Sequence, residues 1–386
     1  MRILLVANYE PDGQVSMLRY AAWLERALKA RGYQVTVAEP RAFFSRLAWG
    51  SGLKKYIGYL DKFLIFPPRL RRLARTHDLV HVLDHSNSMY LPTVRGKPSL
   101  ITCHDVLAIR AARGEFPQAL TGWSGRLLQR WILSGLRGAR HVLCVSGKTA
   151  GDLKALIESS GKDTEETDKN CAELRVICNP LNWSYRTGAA LPEDLTSRLG
   201  LRPGERYFLH VGGNQWYKNR AGVLSIFARL AGMVEFSSAR LVMAGKPLPG
   251  ELRAAIHRER LEGRVIEAVD ATSEELQALY GNALALLFPS LEEGFGWPIL
   301  EAQACGCPVI ASRRPPMTEV AGEAAILIDP AEPQAAAMAI AAGLKGSEQL
   351  RAAGFKNLKR FDAEAIADRY CAFYESILGH APASAR

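Results

Sequence analysis

Two glutamates with seven residues between them, Glu293 and Glu301, bracket the run Gly294-Phe295-Gly296-Trp297-Pro298-Ile299-Leu300. Carboxylates are strong acceptors for hydroxyl donors, so this pair can hold two polyol groups a fixed distance apart. Gly294 and Gly296 let backbone N–H groups approach a ligand closely, and Pro298 suits the first position of a helix. A helix starting at Pro298 turns its positive end towards those amides and favours a diphosphate there. The chemistry that fits is capture of a sugar nucleotide, with the sugar and ribose hydroxyls on either side of the diphosphate. Each acid alone could simply complement the helix dipole.

A cation with a matching use lies upstream. His210-Val-Gly212-Gly213-Asn-Gln-Trp-Tyr-Lys218-Asn219 leaves an apolar run and passes through a glycine loop into a helical pattern. Lys218 can neutralise a diphosphate, while Gly212, Gly213 and Asn219 shape the loop around it. A solvated surface lysine is the plain alternative. In the first half, Thr102-Cys103-His104-Asp105 ends a strand pattern, which sets His104 where binding loops belong. The loop Asn8 to Gln14, with Gly13, follows the first strand pattern and is either a binding loop or a plain turn.

These residues need strand ends to hold them. Short β-branched runs alternate with helical patterns in two series, the signature of parallel sheets wrapped by crossover helices. The first series has strands expected at 2–7, 34–38, 79–83, 99–103, 141–145 and 174–178. The second has them at 207–212, 240–245, 264–268, 284–288, 308–311 and 325–328. The expected architecture is α/β, with two tandem Rossmann-like, doubly wound domains facing across a cleft. We place the first domain at 1–183, an interdomain connection at 184–206, the second domain at 207–360, and a C-terminal helix packing back on the first domain within 361–386. The connection is read from Gly188, Pro192, Gly200, Pro203 and Gly204.

Several of these runs resemble one known family. Glu293 to Glu301, within E-E-G-F-G-W-P-I-L-E-A, resembles the E-x7-E motif of glycosyltransferase family 4, the retaining enzymes of GT-B fold. The following Ala302 to Ser312 resembles that family's A-x-A-x-G-x-P-V-I-A run, and Pro316-Met-Thr-Glu319-Val-Ala-Gly322 resembles the next block. The Gly212 to Asn219 loop is similar to its V-G-x(5)-K-N element. The resemblance implies a nucleotide-sugar donor, UDP- or GDP-linked, with Glu293 on the sugar, Glu301 on the ribose and Lys218 on the diphosphate. It also brings Glu319 to the donor, His104 near donor sugar and acceptor, and the Gly13 loop over phosphate and acceptor. Many relatives carry an Arg directly after the first glycine of the Lys218 loop, where this chain has Gly213; Lys218 then acts alone or with Arg220 or Arg313. Glu293, Lys218 and His104 are the expected catalytic residues. Glu301, Gly294, Phe295, Gly296, Trp297, Pro298, Gly212, Gly213, Asn219, Gly13 and Glu319 are the expected binding residues.

Composition narrows the setting. The 386 residues exceed the usual reach of one hydrophobic core, and 48% hydrophobic with 23% charged residues is ordinary for a globular protein. Seven cysteines without a C-x-x-C pair argue against a zinc site or a disulfide framework and for a reducing cytoplasm. Without a D-x-D pair in the motif region, no metal and no cofactor beyond the donor is expected. No apolar run could span a bilayer. The net charge of +10 is concentrated in 41–78, where nine Lys/Arg face Asp61 and Asp78 among aromatic and aliphatic residues. That makeup fits a basic amphipathic helix on an anionic membrane as well as an ordinary solvated face. No nucleic-acid motif accompanies the charge, so no nucleic-acid partner is expected. The acceptor expected is a saccharide or a lipid-linked saccharide in polysaccharide synthesis. A sugar-nucleotide epimerase of the same fold, a phosphorylase, or a non-catalytic nucleotide-binding scaffold are the competing readings.

Overall fold

The computed structural model describes residues 1–42, 58–159, 172–181, 183–202 and 204–379. The chain divides into two compact units, Met1–Asn182 with Ala363–Arg386, and Trp183–Asp362.

The first unit is built on β1 (Arg2–Val6), β2 (Gln34–Ala38), β3 (Leu79–Val82), β4 (Ser99–Cys103), β5 (His141–Cys144) and β6 (Glu173–Val176). They form one parallel sheet in the order β2-β1-β3-β4-β5-β6. The second unit has β7 (Tyr207–Val211), β8 (Arg240–Gly245), β9 (Val265–Val269), β10 (Ala285–Phe288), β11 (Val309–Ser312) and β12 (Ile326–Ile328). Their order is β12-β11-β10-β7-β8-β9, again all parallel. Strands such as β10 and β11 are buried along their whole length, which is why they read as unbroken apolar runs. Both sheets are doubly wound. Strand order reverses between β1 and β3 in the first and between β7 and β10 in the second, and ligands of such sheets bind beyond the carboxyl ends at that reversal.

Each unit has its own core. Val6, Phe66, Val80, Ile101, Leu136 and Val142 belong to the first, and Phe208, Phe227, Leu241, Leu287 and Ile310 to the second. The helix Ala363–Ile377 seals the first core: its Tyr374 hydroxyl lies 2.7 Å from His81 Nδ1, and its Tyr370 hydroxyl 2.7 Å from that of Tyr20. His81 is fully buried between Tyr374 and Thr102.

The stretch 184–206 differs from a bare connection. It belongs to the second unit and carries a helix, Glu193–Leu199, that buries Leu195 and Leu199. Two of the five residues read as linker punctuation are the helix's own ends: Pro192 is its N-cap and Gly200, with φ of 61°, its left-handed C-cap. Of the basic segment 41–78, residues 43–57 lie outside the described ones.

Burial makes three histidines a source of acid sensitivity. It pushes His81 in the first unit and His210 in the second down to about 3, and lowers His104 as well. Below pH 6.5 the unfolded chain takes up protons that the folded chain refuses, so stability falls by up to roughly 1.4 kcal/mol per pH unit for each of His81 and His210. From pH 7.5 to pH 5, His210 alone should remove roughly 2 kcal/mol, or about 4–8 °C in Tm for a unit of this size. Calorimetric melts across that range check this; a flat Tm would mean that these rings ionise within the fold.

Candidate active site

The second unit assembles its loops at the strand reversal. β7 ends in Val211 and passes through Gly212 and Gly213 to the short turn Trp216–Lys218. Asn219 adopts a left-handed conformation with φ of 53°, caps the helix Arg220–Ala231 through Gly222 N–H, and donates from Nδ2 to the Pro289 carbonyl at 2.9 Å. Leu291 N–H donates to the Tyr217 carbonyl at 2.7 Å, and Ser312 Oγ to the Ser290 carbonyl at 2.5 Å. The loops after β7, β10 and β11 are thereby tied into one rim.

Inside that rim Lys218 Nζ meets Glu293 Oε1 at 2.7 Å. Their side chains are only 17% and 8% exposed, so the two charges attract one another in a partly dry site. The Lys218 ammonium also lies 5.4 Å from the centroid of the Phe288 ring. The stem of Lys218 packs against Gly212, where an added Cβ would stand 3.4 Å from Lys218 Cδ and 3.1 Å from His210 Nε2. His210 donates from Nδ1 to the Leu287 carbonyl at 2.9 Å, which leaves Nε2 as a bare acceptor with no partner among the described residues.

Glu293 is followed by Gly294, Phe295 and Gly296, and the helix runs Trp297–Ala304. It begins at Trp297, one residue ahead of Pro298, because Gly296 takes the N-cap with φ of 109°. Glu301 sits inside this helix, 6% exposed, and accepts a 2.8 Å hydrogen bond from the Tyr280 hydroxyl. Burial, then the Glu301 charge, pushes the Tyr280 hydroxyl well up, so it stays a donor. Cys305 and Cys307 are buried behind the same helix, and burial raises both thiols, which suits packing and not reactivity. Glu319 lies in the helix Met317–Ala321 after β11, half-buried.

Of the two arginines considered as helpers for Lys218, Arg220 is buried and donates from Nη1 to Asn214 Oδ1 and to the Lys246 carbonyl. Its Nε and Nη2 have no partner among the described residues, and burial lowers its pKa. Arg313 is exposed and donates to the Leu327 carbonyl at 3.3 Å.

The first unit gathers polar groups at its own strand ends. His104, just past β4, is 7% exposed, and its Nε2 donates to the Leu83 carbonyl at 2.9 Å. Nδ1 is then a lone pair with no partner among the described residues, and burial keeps the ring neutral despite nearby Asp84. Gly13 closes the turn Glu10–Asp12 with φ of 66° and has open space around it. Sequence reasoning missed Asp84, past β3. Burial alone would raise its carboxyl; the His85 and His104 rings, Asn8 Nδ2 at 2.7 Å and Ser86 N–H outweigh that and hold it below the usual range. Asn87 Nδ2 in turn donates to Asn8 Oδ1 at 3.2 Å. The signal was present in Asp84-His-Ser-Asn-Ser88, a polar run directly after a buried strand. Beside this network is a cavity of about 770 Å3, lined by Asn8, Asp12, Gln14 and Asn87 with Tyr59 and Phe63 among others. Among the described residues no group of three His, Cys, Asp or Glu could hold a metal ion.

Two Rossmann-like units, one carrying a cation, two carboxylates and a helix amino terminus at its strand reversal, define a glycosyltransferase of GT-B fold. Residues 17–162 match the model of glycosyltransferase family 4 and residues 193–360 that of glycosyl transferases group 1, and the chain belongs to the family 4 glycosyltransferases. It is 25% identical over 310 residues to O-antigen chain mannosyltransferase B of Escherichia coli, which spans 79% of this chain and 77% of that one. Over 330 residues it is 25% identical to the GDP-mannose:cellobiosyl-diphosphopolyprenol alpha-mannosyltransferase of Xanthomonas campestris, covering 81% and 77%. Among solved structures, Anabaena HepE in complex with UDP-glucose superposes with a TM-score of 0.70 over 97% of this chain and 100% of that one, at 18% identity. No described helix is long and apolar enough to cross a membrane.

Proposed function

We propose that this chain transfers a mannosyl group from GDP-mannose to a hydroxyl of a saccharide built on a lipid diphosphate, with retention at the anomeric carbon. The observation that carries the reading is the Lys218–Glu293 pair at the carboxyl ends of β7 and β10. A diphosphate entering this rim meets the Lys218 ammonium and the amides ahead of the helix Trp297–Ala304. Lys218 then has two anions to answer. As the bond from the anomeric carbon to the leaving phosphate oxygen lengthens, negative charge grows on the diphosphate, and a cation already fixed in place stabilises it without reorganisation.

Glu293 is held by Lys218 beside the phosphates and accepts hydroxyls of the transferred sugar; Glu301, with Tyr280 fixing one oxygen, accepts from the ribose. Gly294, Phe295, Gly296, Gly212 and Gly213 shape the walls, and Asn219 acts by tying the Lys218 loop to the loop after β10. His104 offers its neutral Nδ1 lone pair to a sugar or acceptor hydroxyl. Retention follows from attack on the same face as the departing diphosphate, which itself can take the acceptor proton. The reaction uses no metal and no cofactor besides the donor. Mannosyl as the transferred group and a lipid diphosphate as the carrier are supported by the activities of the two relatives described above.

The test is a panel of GDP-, UDP- and ADP-sugars, read for binding and for released nucleotide, with and without lipid-linked saccharide extracts. GDP release from GDP-mannose that depends on the extract, with an α-linked product by NMR, is expected. Turnover of a sugar nucleotide without acceptor would move the reading to an epimerase, and binding without turnover to a scaffold.

A further inference from the structure

The helix Trp123–Arg137 in the first unit turns Ile132, Leu133 and Leu136 into the core. Its outer side is apolar too. Trp123 is 81% exposed, Leu127 61% and Trp131 46%, and Leu120 just ahead of the helix is 93% exposed. Positions i, i+4 and i+8 stack in one row along a helix, so the three form a stripe and not scattered singles. The Phe63 ring lies 5.0 Å from that of Trp131 and brings alongside the turn Asp61–Ile65, where Leu64 and Ile65 are exposed.

Charge along this helix has one sign. From Pro117 to Arg140 the chain holds Arg126, Arg130, Arg137 and Arg140 and neither Asp nor Glu. Arg126 and Arg130 are exposed beside the stripe, and the helix Phe66–Arg75 exposes Arg71, Arg72 and Arg75. Two tryptophans and two leucines flanked by arginines have the composition of a surface that enters the headgroup region of an anionic bilayer. A second copy fits poorly, because a two-fold contact through this face would set Arg126 and Arg130 against the same arginines with no carboxylate in the stretch to answer them.

We propose that the face formed by Leu120, Trp123, Leu127 and Trp131, with Arg126 and Arg130, docks this protein on an anionic lipid bilayer. The purpose rests on the proposed lipid-diphosphate acceptor, whose hydroxyl must be met at a membrane surface; the geometry stands without it. The same helix sends Leu128, Gln129 and Ile132 to the 770 Å3 cavity, and Phe63 both lines that cavity and touches Trp131. Docking by the outer row therefore brings that cavity to the bilayer.

Co-sedimentation of the full chain with phosphatidylcholine vesicles, alone and mixed with phosphatidylglycerol, tests this. Binding to the mixed vesicles that weakens with added salt, with a blue shift of tryptophan emission, is expected. W123S/L127S/W131S should lose at least about tenfold in vesicle affinity and R126Q/R130Q should lose the preference for phosphatidylglycerol, with circular dichroism and donor binding unchanged. Wild-type failure to sediment, or equal sedimentation of the triple variant, overturns the inference. So does sedimentation equilibrium showing a dimer that the triple variant dissolves. Vesicle binding without transfer to any lipid-linked acceptor would sink the proposed acceptor and leave the docking face standing; transfer without vesicle binding would do the reverse.

Discussion

Lys218→Met should lower kcat for transfer by about 10²- to 10³-fold and weaken donor binding, and Glu293→Gln should lower kcat by a similar factor. Both are also expected to melt early. Removing one member of a buried ion pair leaves the other charge unanswered, at a cost of about 3 kcal/mol or more when burial is complete, and somewhat less here because Lys218 keeps 17% of its side chain exposed. The double variant separates the two effects. With both charges gone, K218M/E293Q should regain most of the lost Tm, since a neutral pair of similar volume carries no unpaired charge. Its transfer rate should stay as low as that of the worse single variant. Recovery of rate together with Tm would show that the pair serves the fold alone and would remove Lys218 and Glu293 from the chemistry.

That pair shows how far the sequence could be read. Lys218 and Glu293 were each found through a local pattern, a glycine loop after a strand and a glycine loop before a helix. Their 2.7 Å contact spans 75 residues and depends on β10 lying beside β7, a neighbour relation set by sheet topology and invisible in either pattern. All twelve strands were legible: inner strands such as β10 and β11 because a parallel strand covered on both faces is apolar throughout, and edge strands such as β2 and β6 because short β-branched or alternating runs recur between helical patterns. The helix Glu193–Leu199 was not, since Pro192 and Gly200 terminate helices and linkers alike. Asp84 escaped for a different reason: a lone acid after a strand is ordinary, and only the inward turn towards Asn8 and His104 makes it a buried charge. The exposed stripe Trp123, Leu127 and Trp131 has the four-residue spacing of a helix face, but spacing does not say whether the face is covered.

Gly212 was marked from its motif as a residue that shapes the loop around Lys218, and its strictest neighbour is a second glycine. Gly245 ends β8 with φ of 144°, and a Cβ there would stand 2.2 Å from the Gly212 carbonyl oxygen and 3.0 Å from its carbon. Gly212 N–H meanwhile donates to the Ala244 carbonyl at 3.0 Å, so the two strand ends are held together where the Lys218 loop departs. Gly245→Ala must therefore adopt a conformation that L-residues avoid and push away a backbone atom that has little freedom to yield. We expect a loss of about 3 kcal/mol, seen as roughly 6–12 °C in Tm, and a weaker Kd for the donor because the displaced Gly212 peptide carries the Lys218 stem with it. Gly213→Ala is the control. Its nearest obstacle is Gln215 Oε1 at 2.5 Å, the far end of a flexible side chain that can swing aside, so Tm should change little. If the two variants melt alike and bind donor alike, the close approach of β8 to the Gly212 turn does not set the loop, and the position of Lys218 must be maintained by Asn219 and the Pro289 carbonyl instead.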